Sequence, residues 1–142
     1  MHLNVLILDD SSAMLNTLDS ILTSHGYRVE SYRDCEACWQ RLVAAVNGRM
    51  SVPDLLLLDL NMPGLDGLMF LGRIRAQECL ARMAVLVLLA KADAGTCACA
   101  LGAGANDCLT KPVDLSELLE RVAILSARQK GRASAVRIKQ MQ

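Results

Sequence analysis

Four positions carry side chains able to act as one chemical group: the acidic pair Asp9-Asp10, Asp59 and Lys111. Each stands at the end of a short run of strand-like residues, at 3–8, 54–58 and 107–110. Carboxylates gathered in one crevice repel each other and call for a cation or raised pKa values. Mg²⁺ suits such a set, because it takes few carboxylates and completes its shell with waters and phosphate oxygens. Lysine adds a compact positive charge for a phosphate. An aspartate also serves as a covalent nucleophile, forming an aspartyl phosphate. The chemistry that uses all four residues is phosphoryl transfer to a carboxylate, with the metal and the lysine stabilising charge on the transferring group. Alone, an Asp after a strand reads as a cap or turn residue and Lys-Pro as a loop. The signal is their joint occurrence after the first, third and fifth strands.

Three unbroken apolar runs, at 3–8, 54–58 and 84–89, suit strands covered on both faces. The second is Leu-rich, but Pro53 before it and Met62-Pro63-Gly64 after it favour a short strand over a helix. Weaker strands are expected at 28–32 and 107–110. Helical spacing of apolar residues marks 13–24 (Met14, Leu15, Leu18, Ile21, Leu22) and 34–46 (Cys35, Cys38, Trp39, Leu42, Val46). Further helices are expected after Asp66, over 93–102 and after Asp114, with Asp114 and Glu117 at capping-box spacing. Ser11 or Ser12 is the expected cap of the first helix and His25-Gly26 its end. Five strands alternating with five helices imply a parallel sheet with helices on both faces. Right-handed crossovers leave the doubly wound order 2-1-3-4-5 as the best fit. In that order ligands bind outside the carboxyl ends of the strands, where the sequence places its acids.

A chain of 142 residues, 53% hydrophobic and 21% charged, fits one folded domain and excludes general disorder. No run reaches the roughly 20 apolar residues that span a bilayer, so no membrane association is expected. The first residues lack a basic region, so a cytoplasmic location is expected, and with it six reduced cysteines. Cys35 and Cys38 have CxxC spacing, but inside an amphipathic helix they read as buried thiols. Cys97 and Cys99, two apart on a helix, do not share a face. His2 and His25 lack metal-ligand partners. Aromatic residues make up 3% of the chain, too few for a base-stacking surface.

The zero net charge is a sum of opposites. Residues 1–126 hold ten basic and fifteen acidic residues, a net −5, while residues 127–142 hold five basic residues and no acid. The expected division is a domain over 1–126 and a basic tail or linker over 127–142, with the apolar pattern fading after Ser126.

Three segments together resemble the receiver domain of bacterial two-component response regulators. They are Leu8-Asp9-Asp10-Ser11-Ser12, Asp59-Leu60-Asn61-Met62-Pro63-Gly64-Leu65-Asp66-Gly67 and Gly102-Ala103-Gly104-Ala105-Asn106-Asp107-Cys108-Leu109-Thr110-Lys111-Pro112. The resemblance covers about residues 3–126 and implies a flavodoxin-like fold. It implies that Asp59 is the phosphoacceptor and that Asp9, Asp10, Asp59 and the main-chain carbonyl of Asn61 hold Mg²⁺. Lys111 would pair with the phosphoryl group, and the Lys111–Pro112 bond would be cis. The implied phosphodonor is a phosphohistidine on a sensor histidine kinase or histidine phosphotransfer protein. Such domains catalyse their own phosphorylation and slow dephosphorylation but are seldom classed as enzymes. Further implied partners are a second copy through the helix 4 to helix 5 face and an output domain beyond the tail. No direct contact of the domain with nucleic acid is expected.

Two positions depart from the family pattern. Leu89 stands where a Ser or Thr ordinarily closes strand four, and leucine cannot donate a hydrogen bond. Cys108 stands where Tyr or Phe is usual on strand five. The phosphoacceptor chemistry is therefore expected to be intact and its coupling to helix 4 altered. The alternative is a phosphorylation-independent interaction domain that retains the acids. A haloacid-dehalogenase-like enzyme needs an Asp where Asn61 stands. A flavin carrier is disfavoured because Asp9 and Asp10 repel the flavin phosphate.

Overall fold

The computed structural model describes the backbone of residues 3–90 and 94–141 and the side chains of 3–90 and 95–131. Its strands are β1 (Asn4–Leu8), β2 (Arg28–Tyr32), β3 (Leu55–Asp59), β4 (Ala84–Leu89) and β5 (Asp107–Thr110). Its helices are α1 (Ser12–Ser24), α2 (Cys35–Val46), α3 (Gly67–Arg75), α4 (Ala94–Gly102) and α5 (Leu115–Met141), with a 3₁₀ turn at Glu78–Leu80. All strand pairs are parallel, and the order is β2-β1-β3-β4-β5. This is the flavodoxin-like doubly wound arrangement expected from the alternation of elements.

Every residue of β3 and β4 is buried, which is why these strands read as unbroken apolar runs. Alternate residues feed two cores. Leu6, Leu56, Leu58, Val85, Val87 and Leu89 pack with Cys38, Leu42, Phe70 and Ile74 of α2 and α3. Val5, Ile7, Leu55, Leu57, Leu86 and Leu88 pack with Leu15, Leu18 and Leu22 of α1 and with Leu118 and Val122 of α5.

Side-chain caps fix the helix starts. Ser11 Oγ accepts from Met14 N at 3.2 Å, Asp34 Oδ1 from Glu36 N at 3.1 Å, and Asp66 Oδ1 from Leu68 N at 3.1 Å. Asp114 Oδ1 accepts from Glu117 N at 3.1 Å. Each satisfies an amide that the helix leaves free. The expected start of the fourth helix at Asp93, like His2, lies outside the described residues.

The end of the last helix differs from expectation. α5 does not stop near Ser126 but continues to Met141. The apolar stripe does fade there, yet Ala, Arg, Lys and Gln are strong helix formers and sustain the helix without it. Gln129 Nε2 ties the extension to the sheet, donating to Asp54 O at 2.8 Å and Arg82 O at 2.7 Å.

Candidate functional site

The sheet order places its switch point between β1 and β3, whose successors leave in opposite directions. Leu8 pairs with Leu58 across these strands, so Asp9 and Asp59 follow at the same level. Asp9 and Asp59 are buried, at 0% and 1% exposure, and Asp10 is exposed. One carboxylate oxygen from each of Asp9, Asp10 and Asp59 falls within a cluster no wider than 4.8 Å. Lys111 reaches in from the end of β5, where its amide donates to Leu89 O at 2.6 Å. Its Nζ lies 3.1 Å from Asp59 Oδ2 and 3.5 Å from Asp9 Oδ2. The Lys111–Pro112 peptide bond is cis.

The hydrogen bonds divide the oxygens by role. Asp59 Oδ1 accepts from Asn61 N at 2.9 Å, and Asp9 Oδ1 accepts from Ser11 N at 2.9 Å. These turns leave the Oδ2 atoms facing Lys111. Asp9 Oδ2 is buried and accepts no hydrogen bond from the described residues. The Lys111 ammonium, 3.5 Å away, offsets its charge. Burial raises the Asp9 pKa above its ordinary 3.8. The Ser11 amide opposes that shift, the Asp59 charge adds to it, and Lys111 opposes it. An orphaned buried carboxylate oxygen beside two further carboxylates is a donor set that fits a small hard cation.

Asn61 also acts through its side chain. Its Oδ1 accepts from Ala90 N at 2.6 Å and so joins the loop after β3 to the end of β4. Gly67 lets α3 start close to that loop, since a Cβ there would lie 2.5 Å from Leu60 Cδ2 and 3.0 Å from Leu60 Cα. Sequence reading missed the Asn61 bridge because a side chain's long-range partner has no local signal.

The two departing positions lie on the α2–α4 side of the sheet. Leu89 is 3% exposed and packs in that core. Cys108 is half-buried, and its Sγ donates to Cys97 O on α4 at 3.7 Å. Burial, helped by Cys97 and Asp107, pushes the Cys108 thiol up to about 12. Neither offers a hydroxyl donor.

The family model described as the response regulator receiver domain matches residues 5–123. Protein RcaC of Microchaete diplosiphon is 36% identical over 126 residues, covering 89% of this chain and 18% of RcaC. The transcriptional regulatory protein KdpE of Staphylococcus aureus is 30% identical over 125 residues, covering 88% of this chain and 50% of KdpE. The chain thus spans half or less of the length of these curated relatives. Among solved structures, a response regulator from Chloroflexus aurantiacus superposes with a TM-score of 0.79 at 30% identity. That match covers 89% of this chain and 99% of the other.

Proposed function

The chain belongs to the response regulator receiver domain family of two-component systems, and we propose that it accepts a phosphoryl group on Asp59 in a Mg²⁺-dependent reaction. The single observation that supports this most is the Asp9–Asp10–Asp59 cluster with Lys111 reaching two of its members. In this reading an Asp59 carboxylate oxygen attacks the phosphorus of a phosphohistidine. The P–N bond breaks and its electron pair leaves with the imidazole. Asn61 N holds Asp59 Oδ1 in place, which leaves Oδ2 as the attacking atom. Lys111 moves from pairing with Asp59 to pairing with the phosphoryl oxygens. Mg²⁺ held by Asp9, Asp10, Asp59 and the Asn61 carbonyl would neutralise charge on the transferring group. Self-dephosphorylation uses the same residues, and the domain is not an enzyme in the ordinary sense.

The proposed partners are a sensor histidine kinase or histidine phosphotransfer protein, a second copy through the α4–α5 face, and an output domain. The receiver body is residues 1–126 and the basic segment 127–142 its tail or linker, within the cytoplasm. Coupling of phosphorylation to α4 is weak, because Leu89 cannot donate to a phosphoryl oxygen and Cys108 already contacts α4.

Incubation with acetyl phosphate and Mg²⁺, followed by intact mass, tests the phosphoacceptor reading. One phosphoryl adduct is expected, absent in Asp59→Asn and absent with EDTA. Beryllofluoride followed by NMR tests the coupling. Shifts confined to the loops around Asp59 are expected, and large shifts throughout 84–110 would sink weak coupling. No occupancy by either reagent would favour the second reading, a phosphorylation-independent interaction domain, to which Leu89 and Cys108 also point.

A further inference from the structure

The fold separates the chain's charge along the strand direction. Among the described residues, the carboxyl ends of the strands and the loops leaving them carry Asp9, Asp10, Asp34, Asp59, Asp66 and Asp114 against Arg33 and Lys111. The opposite edge is basic. Arg28 opens β2, Arg49 lies in the loop entering β3, Arg82 lies in the loop entering β4, and all three are exposed. Two acids of that edge are already engaged. Asp54 Oδ2 accepts from Asn4 N at 2.8 Å, and Asp107 Oδ2 from Arg121 Nη1 at 2.7 Å. Glu78 is the exposed acid there. The net −5 of residues 1–126 is thus an average over two unlike ends.

α5 adds to the basic edge. Leu118 and Val122 pack it on the strands, and Gln129 Nε2 donates to both Asp54 O and Arg82 O. That pair of bonds brings Arg82 beside the turn of α5 that carries the exposed Arg128 and Lys130. The helix then continues to Met141, about 18 Å past Gln129 at 1.5 Å per residue. Residues 127–142 hold five basic residues and no acid. A cation next to a helix C-terminus is the ordinary answer to the helix dipole, and Arg49, two residues past the C-cap of α2, needs no other account. The dipole does not explain Arg128 and Lys130, which lie about three turns before the end of α5.

We propose that the amino-terminal edge of the sheet and the α5 extension form a binding surface for the phosphate backbone of double-stranded nucleic acid, independent of base sequence. Like charges gathered without acids repel each other, and a polyanion relieves that repulsion while its condensed counterions are released. Arg128, Arg132 and Lys139 follow one another at helical spacing, which suits a backbone of regularly placed charges. A lipid surface fits less well. A helix lying on one needs a broad face of large apolar residues, and residues 127–142 hold no Leu, Phe, Tyr or Trp. Aromatic residues are too few to stack single-stranded bases, and Gln129 is committed to the two carbonyls. What remains is contact with phosphates, which positions a protein without reading sequence. The acidic cluster lies at the other end of the strands, so the surface does not depend on the phosphoacceptor reading.

Anisotropy of a fluorescein-labelled DNA duplex of mixed sequence, titrated with the full chain from about 50 to 200 mM salt, tests this. A Kd of roughly 10⁻⁴–10⁻⁶ M is expected near 150 mM salt, the same for a scrambled sequence. The plot of log affinity against log salt should have a slope of about −3 to −5, the signature of roughly three to six phosphates neutralised. Arg128→Gln and Lys130→Gln should each make that slope shallower by about 1 and weaken binding. Arg33→Gln removes an exposed cation from the acidic edge and should leave the slope unchanged. The proposal is overturned if the duplex does not bind at about 50 mM salt. It is equally overturned if Arg33→Gln flattens the slope as much as Arg128→Gln does. Tighter binding to vesicles of phosphatidylserine and phosphatidylcholine than to the duplex would also overturn it and assign the surface to lipid.

Discussion

Lys111 Nζ lies 3.1 Å from Asp59 Oδ2, and the same ammonium is the one charge compensating the buried Oδ2 of Asp9 at 3.5 Å among the described residues. One cation thus serves two carboxylates at the resting site. Lys111→Met removes it while keeping the side-chain stem. Phosphorylation by acetyl phosphate at saturating Mg²⁺ is expected to slow by about 10–100-fold. That matches the loss of one charge-assisted contact of roughly 1.5–3 kcal/mol. The metal-free protein should also lose about 1–3 kcal/mol in urea unfolding, discounted because the lysine is partly solvated. An unchanged labelling rate would remove Lys111 from the reaction.

Asp9 leads to the opposite stability change. Its pKa is raised by burial above 3.8, so the folded state binds its proton more tightly than the unfolded chain. The ionised carboxylate therefore destabilises the metal-free fold above its folded pKa. That penalty is relieved as pH falls through the folded pKa toward 3.8. Asp9→Asn should be more stable than wild type in EDTA at pH 7, by about 1–2 kcal/mol. The gap should shrink as the pH approaches 3.8. Mg²⁺ should stabilise the wild type and leave the variant nearly unchanged. Urea unfolding with EDTA or Mg²⁺ across this pH range checks all three, and a variant weaker than wild type in EDTA would refute the first.

What the sequence disclosed follows from how local each determinant is. β3 and β4 were legible because strands buried on both faces must be apolar throughout. The caps Ser11 (one of two candidates), Asp66 and Asp114 were legible because an N-cap acts within three residues. Asp9, Asp59 and Lys111 were legible because parallel register carries strand ends to one edge. The Asn61–Ala90 bond spans 29 positions and has no local signature. Nor does Arg41, buried at 6% exposure by its Nε–Glu30 bond of 3.0 Å. The continuation of α5 was missed because amphipathic pattern, not intrinsic propensity, set the expected end.

Leu89 offers a direct test of coupling. Leu89→Thr replaces a packed side chain, 3% exposed, with a smaller one carrying a hydroxyl. A cost of about 2–4 kcal/mol is expected from the lost packing. The hydroxyl restores a donor beside the Ala90 end of β4. Beryllofluoride-induced NMR shifts across 94–110 should therefore be larger in the variant than in the wild type. Equal shifts in both proteins would show that the hydroxyl is not what limits coupling.

The fold around α4 rests on Arg75, the last residue of α3. Its Nε donates to Gly104 O at 2.9 Å, and its Nη1 to Leu80 O at 3.0 Å and Met83 O at 2.7 Å. Its Nη2 donates to Asn106 Oδ1 at 3.1 Å, which also accepts from Val85 N at 2.8 Å. One guanidinium thus joins the end of α3, the 3₁₀ turn and the α4–β5 loop. Arg75→Met removes the arginine's donors from Gly104 O, Met83 O and Asn106 Oδ1 and should cost about 3–5 kcal/mol. Gly104 has φ +116°, and a Cβ there would lie 2.6 Å from Arg75 Cγ. Gly104→Ala therefore carries both a backbone cost, roughly 1–3 kcal/mol, and a clash with the arginine stem. In an Arg75→Ala background the clash is gone and only the backbone cost remains. The two substitutions should then be less destabilising together than the sum of the singles, by about 0.5–3 kcal/mol. Urea unfolding of the four proteins closes the cycle, and strict additivity would mean that Gly104 is required for its backbone angle alone.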